Sequence, residues 1–545
     1  MPKVVTVDEM RAIEKAADAG GLTYDKMMEN AGRAVAGAIL NRIGTAAGKR
    51  VAILVGSGNN GGDGLVVGHY LREAGAQVSA YIADGRPEKD PNLARLQANG
   101  ALIANAPDDQ RHRVLRNLMT TADVVVDALL GTGFRLPLRD SLQQLLATAA
   151  KALEGRGRPP LVAAVDCPSG MDCDTGEIAP EAIRADLTVT LAAAKIGHFR
   201  FPGASYVGEL VVADIGIPEK QREISAIQTE LADARTLRLW LPARPLDSHK
   251  GTFGRSLVVA GSVNFPGAAC LAGLAAYRVG AGLVTLAVPS PIQALLAPQL
   301  PEATWVLLPH EVGVIAEEAV DVLRDELASS QAILLGPGFG QEATTAAFMG
   351  RLLGAGEGAS RSRIGFVREE GRKEQSAKLP PCVVDADGLK LLVRLDGWAS
   401  RLPHPAVLTP HPGEMAVLTG MSRDEIQADR LAAARRWAAE WGHVVVLKGA
   451  FTVVASPEGM ATIIPIASPA LARAGTGDVL AGAIVGLVAQ GVAAYGAAVL
   501  GAYLHGRAGM LAAEAHGTTA SVLAGEVAEA LPDALVELSA AGAGG

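Results

Sequence analysis

Short apolar runs, each closed by a turn of Gly, Asn, Asp or Ser, recur along this chain and set its plan. In the first half they lie at residues 51–55, 77–82, 123–127, 161–165, 187–191 and 209–212, with helical stretches between them. Runs of this length bounded by turn formers predict strands buried on both faces. Their alternation with helices predicts a mostly parallel sheet covered on both sides, with ligands bound beyond the carboxyl ends of the strands. Two helices, at 8–19 and 24–41, are expected ahead of the series. The pattern breaks around Ile217-Pro218-Glu219-Lys220, and a second series follows with runs at 256–260, 282–288, 332–335, 382–385, 406–408 and 444–447. The expected fold class is α/β in two domains, 1–225 and 226–545, the first a Rossmann-like three-layer sandwich.

Three segments stand outside the alternation. Residues 479–504 carry no charged side chain and are long enough to cross a bilayer. Ala and Gly dominate them, however, and Gln490-Gly491 interrupts them, so two helices buried among neighbours are expected. Residues 354–379 are rich in Gly, Ser, Arg, Glu and Lys and predict a mobile surface insertion. The Ala-Gly-rich end, 539–545, is expected to fray.

Composition narrows the class of partner. A chain of 545 residues exceeds one hydrophobic core, so two domains of roughly 200 to 300 residues are the natural division. The net charge of −8 offers no basic face for nucleic acid, which points to small-molecule partners. Four cysteines are too few for a disulfide scaffold and form no metal-spaced pair, predicting reduced thiols in a cytoplasmic protein. Asp8 and Glu9 stand where a secretion signal would have its apolar core.

The candidate chemistry gathers at predicted strand ends. Asn60, Asp63, Asp127, Asp166 and Ser169 all follow strands of the first series, so the sheet itself would bring them to one rim. The turn Gly58-Asn59-Asn60-Gly61-Gly62-Asp63-Gly64 could cradle a phosphate on its amides, its glycines permitting close approach and unusual φ values. In Val165-Asp166-Cys167-Pro168-Ser169-Gly170 the proline stiffens the turn that presents Asp166 and Ser169. Lys195 suits either catalysis or a surface ion pair.

In the second half, Gly475-Thr476-Gly477-Asp478 opens a long apolar helix. Backbone N–H groups there would hold a transferring phosphoryl group with one carboxylate beside it. Further turns converge on this pattern: His249-Lys250-Gly251-Thr252-Phe253-Gly254, Gly261-Ser262, Pro266-Gly267-Ala268-Ala269, Gly336-Pro337-Gly338-Phe339-Gly340, His411-Pro412-Gly413-Glu414 and Lys448-Gly449-Ala450-Phe451-Thr452. Lys448 could offset phosphate charge, and His411 suits helix capping as well as substrate contact. Asp385-Ala386-Asp387 looks like a metal-binding pair, but alternate residues leaving a strand point to opposite sides, which favours a structural role.

These motifs carry a resemblance to a known family. Residues 1–220 resemble the YjeF N-terminal domain, the NAD(P)H-hydrate epimerase, through Gly58 to Gly64, Asp127, Gly131-Thr132-Gly133, Asp166 to Gly170 and Lys195-Ile196-Gly197 before Pro202-Gly203. Residues 230–530 look like the ribokinase-like fold, and the order of their turns resembles its NAD(P)H-hydrate dehydratase branch. The implied activity is bifunctional: R and S hydrates of NAD(P)H (NADHX and NADPHX) are interconverted, and the S form is dehydrated at the expense of ADP.

The resemblance also implies site residues. Asn60, Asp127 and Ser169 would bind potassium. Asn59, Asn60, Gly61, Gly62, Asp63, Gly131, Thr132, Gly133, Phe134, Arg135, Leu136, Pro137 and Asp166 would face the hydrate, with Asp166 and Lys195 catalytic. In the second half Ala268, Gly338, His411 and Asp478 would face substrate, with Asp478 as base. Lys448, Gly449, Ala450, Phe451, Thr452, Gly475, Thr476 and Gly477 would bind the nucleotide, and magnesium is expected with its phosphates. A homo-oligomer is the expected assembly. The 354–379 insertion and Phe339, where Leu is common, depart from the family pattern. The alternative is a vitamin or sugar kinase fused to a nucleotide-sensing domain.

Overall fold

The computed structural model describes residues 1–87, 89–354 and 379–541. The 354–379 insertion therefore lies, apart from its two end residues, outside the described residues. The chain divides into two compact units, Pro2–Glu230 and Leu231–Gly545 with Met1.

In the first unit seven strands form one parallel sheet in the order Leu102–Asn105, Gln77–Ile82, Arg50–Val55, Val124–Ala128, Leu161–Val165, Leu187–Leu191 and Glu209–Ala213. Strand order reverses between Arg50–Val55 and Val124–Ala128, the switch point at whose carboxyl ends sheets of this kind form a ligand crevice. Core side chains from alternate strand positions pack on separate faces, Ile53 and Val126 on one and Leu54 and Val125 on the other. The helices Val7–Ala19 and Tyr24–Ile43 precede the sheet, as the pattern predicts. A short parallel pair, Val4–Val5 with Ala194–Lys195, ties the start of the chain to the strand carrying Lys195. The two-residue runs leave no periodic signal in the sequence.

In the second unit six neighbouring strand pairs are parallel, from Val444–Leu447 through Val407–Leu408, Cys382–Val384, Ala332–Leu335, Arg255–Val259 and Leu283–Pro289 to Thr304–Leu308. The antiparallel strands Val453–Ala455 and Ala461–Ile463 extend it. Here order reverses between Arg255–Val259 and Ala332–Leu335. The uncharged 479–504 segment is two helices, Thr476–Ala489 and the start of Ala494–His516. A Cβ on Gly482 would stand 2.2 Å from the Ala272 carbonyl oxygen, so its lack of side chain lets this helix press against Gly267–Arg278. Among the described residues no helix is long and apolar enough to cross a membrane. Of the expected frayed end, Ser539 and Ala540 belong instead to the helix Leu531–Ala540, whose Leu531, Ala534 and Leu538 are buried in the core, while residues 542–545 lie outside the described residues.

Candidate active sites

At the first crevice, Asn60, Asp127 and Ser169 form one hydrogen-bonded group. The Ser169 hydroxyl donates to Asp127 at 2.5 Å and accepts from the Leu130 N–H at 2.9 Å, while the Asn60 amide donates to the Leu130 carbonyl at 2.9 Å. The Ser169 N–H also reaches Asp127, at 2.8 Å. Burial raises the Asp127 pKa, with the Ser169 and Leu129 hydrogen bonds opposing it. No cationic side chain among the described residues pairs with this carboxylate. A buried carboxylate with amide and hydroxyl oxygens close by is a donor set suited to a hard cation. The described residues hold no cluster of three His, Cys, Asp or Glu of the kind a transition metal takes.

The turn at 58–64 is tighter than a loop. Asn59–Glu73 is a helix with Gly58 at its N-cap and no side chain capping it, so its first amides remain available to a ligand. No glycine from 58 to 64 has a positive φ; the reason for glycine is close approach alone. A Cβ on Gly61 would stand 2.0 Å from the Gly56 carbonyl oxygen, and one on Gly64 2.4 Å from the Ala128 Cβ. Arg86 braces the turn through the Gly56 and Gly58 carbonyls at 3.0 and 2.7 Å. Gly131 meets Asn60, and Thr132 to Pro137 follow as a partly exposed loop.

Asp166 and Lys195 form the second half of this site. Their buried ion pair is joined by the Thr190 hydroxyl, 3.0 Å from Asp166 Oδ1 and 2.9 Å from Lys195 Nζ, and by the Leu191 N–H, 3.1 Å from Asp166. Lys195 is 0% exposed, which removes the surface-pair reading. Asp166 sits at φ 67, a conformation costing roughly 1–3 kcal/mol for a residue with a side chain and typical of functional sites. Burial acts to raise its pKa, but the Lys195 charge and the hydrogen bonds outweigh it and hold the carboxyl below the usual range. His198 is driven to about 3, first by burial and then by Lys195, and stays neutral. Glu14, which the sequence reading missed, is raised by burial and by the Asp166 charge, with Lys195 opposing. A lone Glu on an amphipathic helix carries no signal; the Val5 to Lys195 pairing is what brings its helix here.

In the second unit the helix Thr476–Ala489 starts at Gly475, with φ 89 and no side-chain cap. The Thr476 hydroxyl turns back to the Leu471 and Arg473 carbonyls at 2.9 and 2.8 Å, leaving the first amides to a ligand. Beside them Lys448 Nζ lies 2.6 Å from Asp385 and 3.5 Å from Glu414, and the Thr409 hydroxyl donates to Asp385 at 2.7 Å. A Cβ on Gly477 would lie 3.4 Å from Lys448 Nζ and 3.7 Å from Asp385 Oδ2. Burial, then the Asp385 charge, push Asp478 up to about 7, and Lys448 offsets part of this. Burial alone would lower Lys448, but Asp385 and Glu414 outweigh it and raise its pKa.

Asp385 joins this cluster, which corrects the opposite-sides expectation: residues two apart on a strand share a face, and both Asp385 and Asp387 act on Asp478. Ala386 between them adopts φ 53. Asp387 accepts the Gly340 N–H at 3.1 Å, and Gly261 N–H donates to the Pro337 carbonyl at 2.8 Å, joining the glycine turns. A Cβ on Gly338 would be 3.0 Å from that of Ala268, so these two also meet. His411 caps Pro412–Thr419, accepting from Gly413 and Glu414 at 2.9 and 3.1 Å, with Nε2 3.3 Å from Glu414. Of residues 448–452, Lys448 reaches the acids by hydrogen bond; Thr452 bonds Gly449 within its loop, and Arg430 holds the Ala450 carbonyl.

One expected contributor lies elsewhere. Gly254, ending the His249 motif, packs on the carbonyl of Ala489, the last residue of the 14-residue helix that begins at the site. At 1.5 Å per residue that is about 20 Å away. The motif precedes its strand and so falls at the opposite end of the sheet.

Comparison with known proteins matches residues 24–197 to the family described as YjeF-related protein N-terminus, and residues 256–533 to the family described as NAD(P)H-hydrate dehydratase. The bifunctional NAD(P)H-hydrate repair enzyme Nnr of Moorella thermoacetica is 38% identical, over 98% of this chain and 97% of that protein. The protein of the same name from Escherichia coli K12 is 33% identical, over 94% and 90%. A crystal structure of ADP/ATP-dependent NAD(P)H-hydrate dehydratase from Bacillus subtilis, co-crystallised with ATP and Mg2+, covers 57% of this chain and 100% of its own, with 32% identity and a TM-score of 0.47.

Proposed function

The chain belongs to the bifunctional NAD(P)H-hydrate repair enzyme family, and we propose that each unit runs one step of that repair at the crevice described for it. The first interconverts the R and S hydrates. The second dehydrates the S form to NAD(P)H, taking a phosphoryl group from ADP and releasing AMP and phosphate.

In the hydrate, the hydroxyl sits on a ring carbon next to the ring nitrogen, whose lone pair can expel it. In the first unit Asp166, held ionised by Lys195, is the group that takes a proton from water returning to that carbon. The uncapped amides at Asn59 and Asn60 suit the pyrophosphate of the dinucleotide. Asn60, Asp127 and Ser169 fit a potassium ion, which when bound supplies a fixed positive charge against the buried Asp127.

In the second unit Asp478 takes the hydroxyl proton as the oxygen attacks the terminal phosphoryl group of ADP, and the P–O bond to AMP breaks. Amides of Gly477 and Asp478, with Lys448, hold the moving group. The ester oxygen then leaves as phosphate, with the ring nitrogen pushing, and loss of a ring proton restores the double bond. Magnesium arriving with the nucleotide would be held by its phosphates, with Asp387 able to add an oxygen ligand.

The reading is carried by the placement of Asp478, on an uncapped helix turn against the Lys448–Asp385 pair. The test is to supply S hydrate and ADP and follow phosphate together with the absorbance of reduced nicotinamide. Equal amounts of both support the dehydratase; a stable phosphorylated product would instead identify a kinase.

A further inference from the structure

We propose that Asp63 is the acid of the first site, donating a proton to the departing hydroxyl while Asp166 serves as base on the opposite face of the ring. This rests on the epimerase reading above and adds a second catalytic group to it.

The observation is a buried residue whose carboxyl has no partner among the described residues. Asp63 is 7% exposed, and no hydrogen bond or ion pair from the described residues reaches its side chain. The other buried acids of this unit are all satisfied. Asp127 is held by Ser169; Asp166 by Lys195, Thr190 and Leu191; Asp90 by Arg86 and two backbone amides; Asp109 by Tyr81 and two more. A carboxylate buried without a partner is so costly that the group stays protonated instead. Asp63 lies in the second turn of Asn59–Glu73, beyond reach of the orphan amides at the helix end. What its carboxyl lacks, a substrate in the crevice would supply.

The surrounding charges point the same way. Burial first, then Asp166 and Glu14, push the Asp63 carboxyl well above the usual range, against Lys195 and Arg86. Asp166 is held low by Lys195 in the same pocket. Two carboxyls driven apart by their environments, one neutral and one ionised, are the mark of an acid and base pair. Inverting a hydroxyl at one carbon needs both, because the leaving oxygen must be protonated and the incoming water deprotonated.

The step balances without another reactant. The Asp63 proton joins the hydroxyl oxygen as its bond to the ring carbon breaks, releasing water, and the ring nitrogen lone pair forms a carbon–nitrogen double bond. Water adds from the other face, that double bond reverts to the lone pair, and the water's proton passes to Asp166. Proton exchange with solvent returns Asp166 to carboxylate and Asp63 to acid.

The test uses the full chain carrying Asp63→Asn, with Asp25→Asn as comparison. R-to-S conversion is followed by chromatography above the protein-free background, and thermal melting that matches wild type reports that the first unit is folded. Loss of one proton-transfer group should lower kcat by about 10²–10⁴, with KM within about threefold. The wild-type fall in kcat at high pH should vanish in Asp63→Asn and return in Asp63→Glu. Asp25→Asn, at an exposed acid of the same unit, should stay within about threefold of wild type. Unchanged kcat in Asp63→Asn, a rise in KM alone, or an equal loss in Asp25→Asn would overturn the assignment. A wild type no faster than background would overturn the epimerase reading itself.

Discussion

Substituting Asp385→Asn isolates what sets the base of the second site. Asp478 stands at about 7 instead of its ordinary 3.8, a displacement worth about 4 kcal/mol at 1.36 kcal/mol per pKa unit. Burial is the largest cause and survives the substitution; the Asp385 charge is next. Removing that charge also frees Lys448, now 2.6 Å from Asp385, to act on Asp478. Both changes lower the Asp478 pKa. Less than half of the displacement should go, about 1 to 1.5 units, or about 1.4 to 2 kcal/mol. In wild type the dehydration rate should climb as pH rises through about 7, since the base must be ionised. In Asp385→Asn that climb should move to about pH 5.5–6, with a lower plateau from the weaker base. The assay is the rate of NAD(P)H appearance from S hydrate with saturating ADP between pH 5 and 9, with thermal melting to confirm folding. An unmoved acid limb, or one displaced upward, would refute the argument.

Three further substitutions probe the rest of the account. Lys195→Met strands the buried Asp166 carboxylate, so it should cost about 3–5 kcal/mol of stability by thermal or urea unfolding and abolish epimerisation; wild-type stability would contradict the buried pair. Gly131→Ala puts a Cβ 3.1 Å from the Asn60 Cβ and 3.3 Å from its Oδ1. The potassium concentration for half-maximal epimerase activity should rise about tenfold or more, and an unchanged value would count against that cation site. Gly477→Ala places a Cβ 3.4 Å from Lys448 Nζ, a contact the fold can accept. Melting should be unchanged while the KM for ADP rises at least tenfold, and an unaltered KM would remove the amides from the phosphate site.

What the sequence disclosed follows from burial. Strands covered on both faces, such as Leu161–Val165 and Ala332–Leu335, appear as unbroken apolar runs. The edge strand Leu102–Asn105 did not show, because neither of its end residues is buried and Leu102 is 73% exposed. Thr304–Leu308 and the pair Val453–Ala455 and Ala461–Ile463 were missed as well, being short or half-buried. Strand-end residues such as Asn60, Asp127 and Ser169 were legible as a group because a parallel sheet must collect them on one rim. Asp385 was misread, because residues two apart on a strand share a face instead of opposing one another. The His249 motif was misplaced by chemistry overriding topology: it looks like a phosphate loop but enters its strand from the wrong end. Glu14 and the solitary state of Asp63 depend on packing that no local pattern encodes.

The central claim is that one chain carries both steps, and mixed R and S hydrates test it most directly. Purified protein is incubated with the mixture, with and without ADP, and both epimers are separated by chromatography over time beside a protein-free control. Without ADP the two forms should relax to equilibrium faster than the control. With ADP both should disappear, with NAD(P)H, AMP and phosphate formed in equal amounts. Persistence of the R form at the control rate, or accumulation of a stable phosphorylated hydrate, would contradict the account.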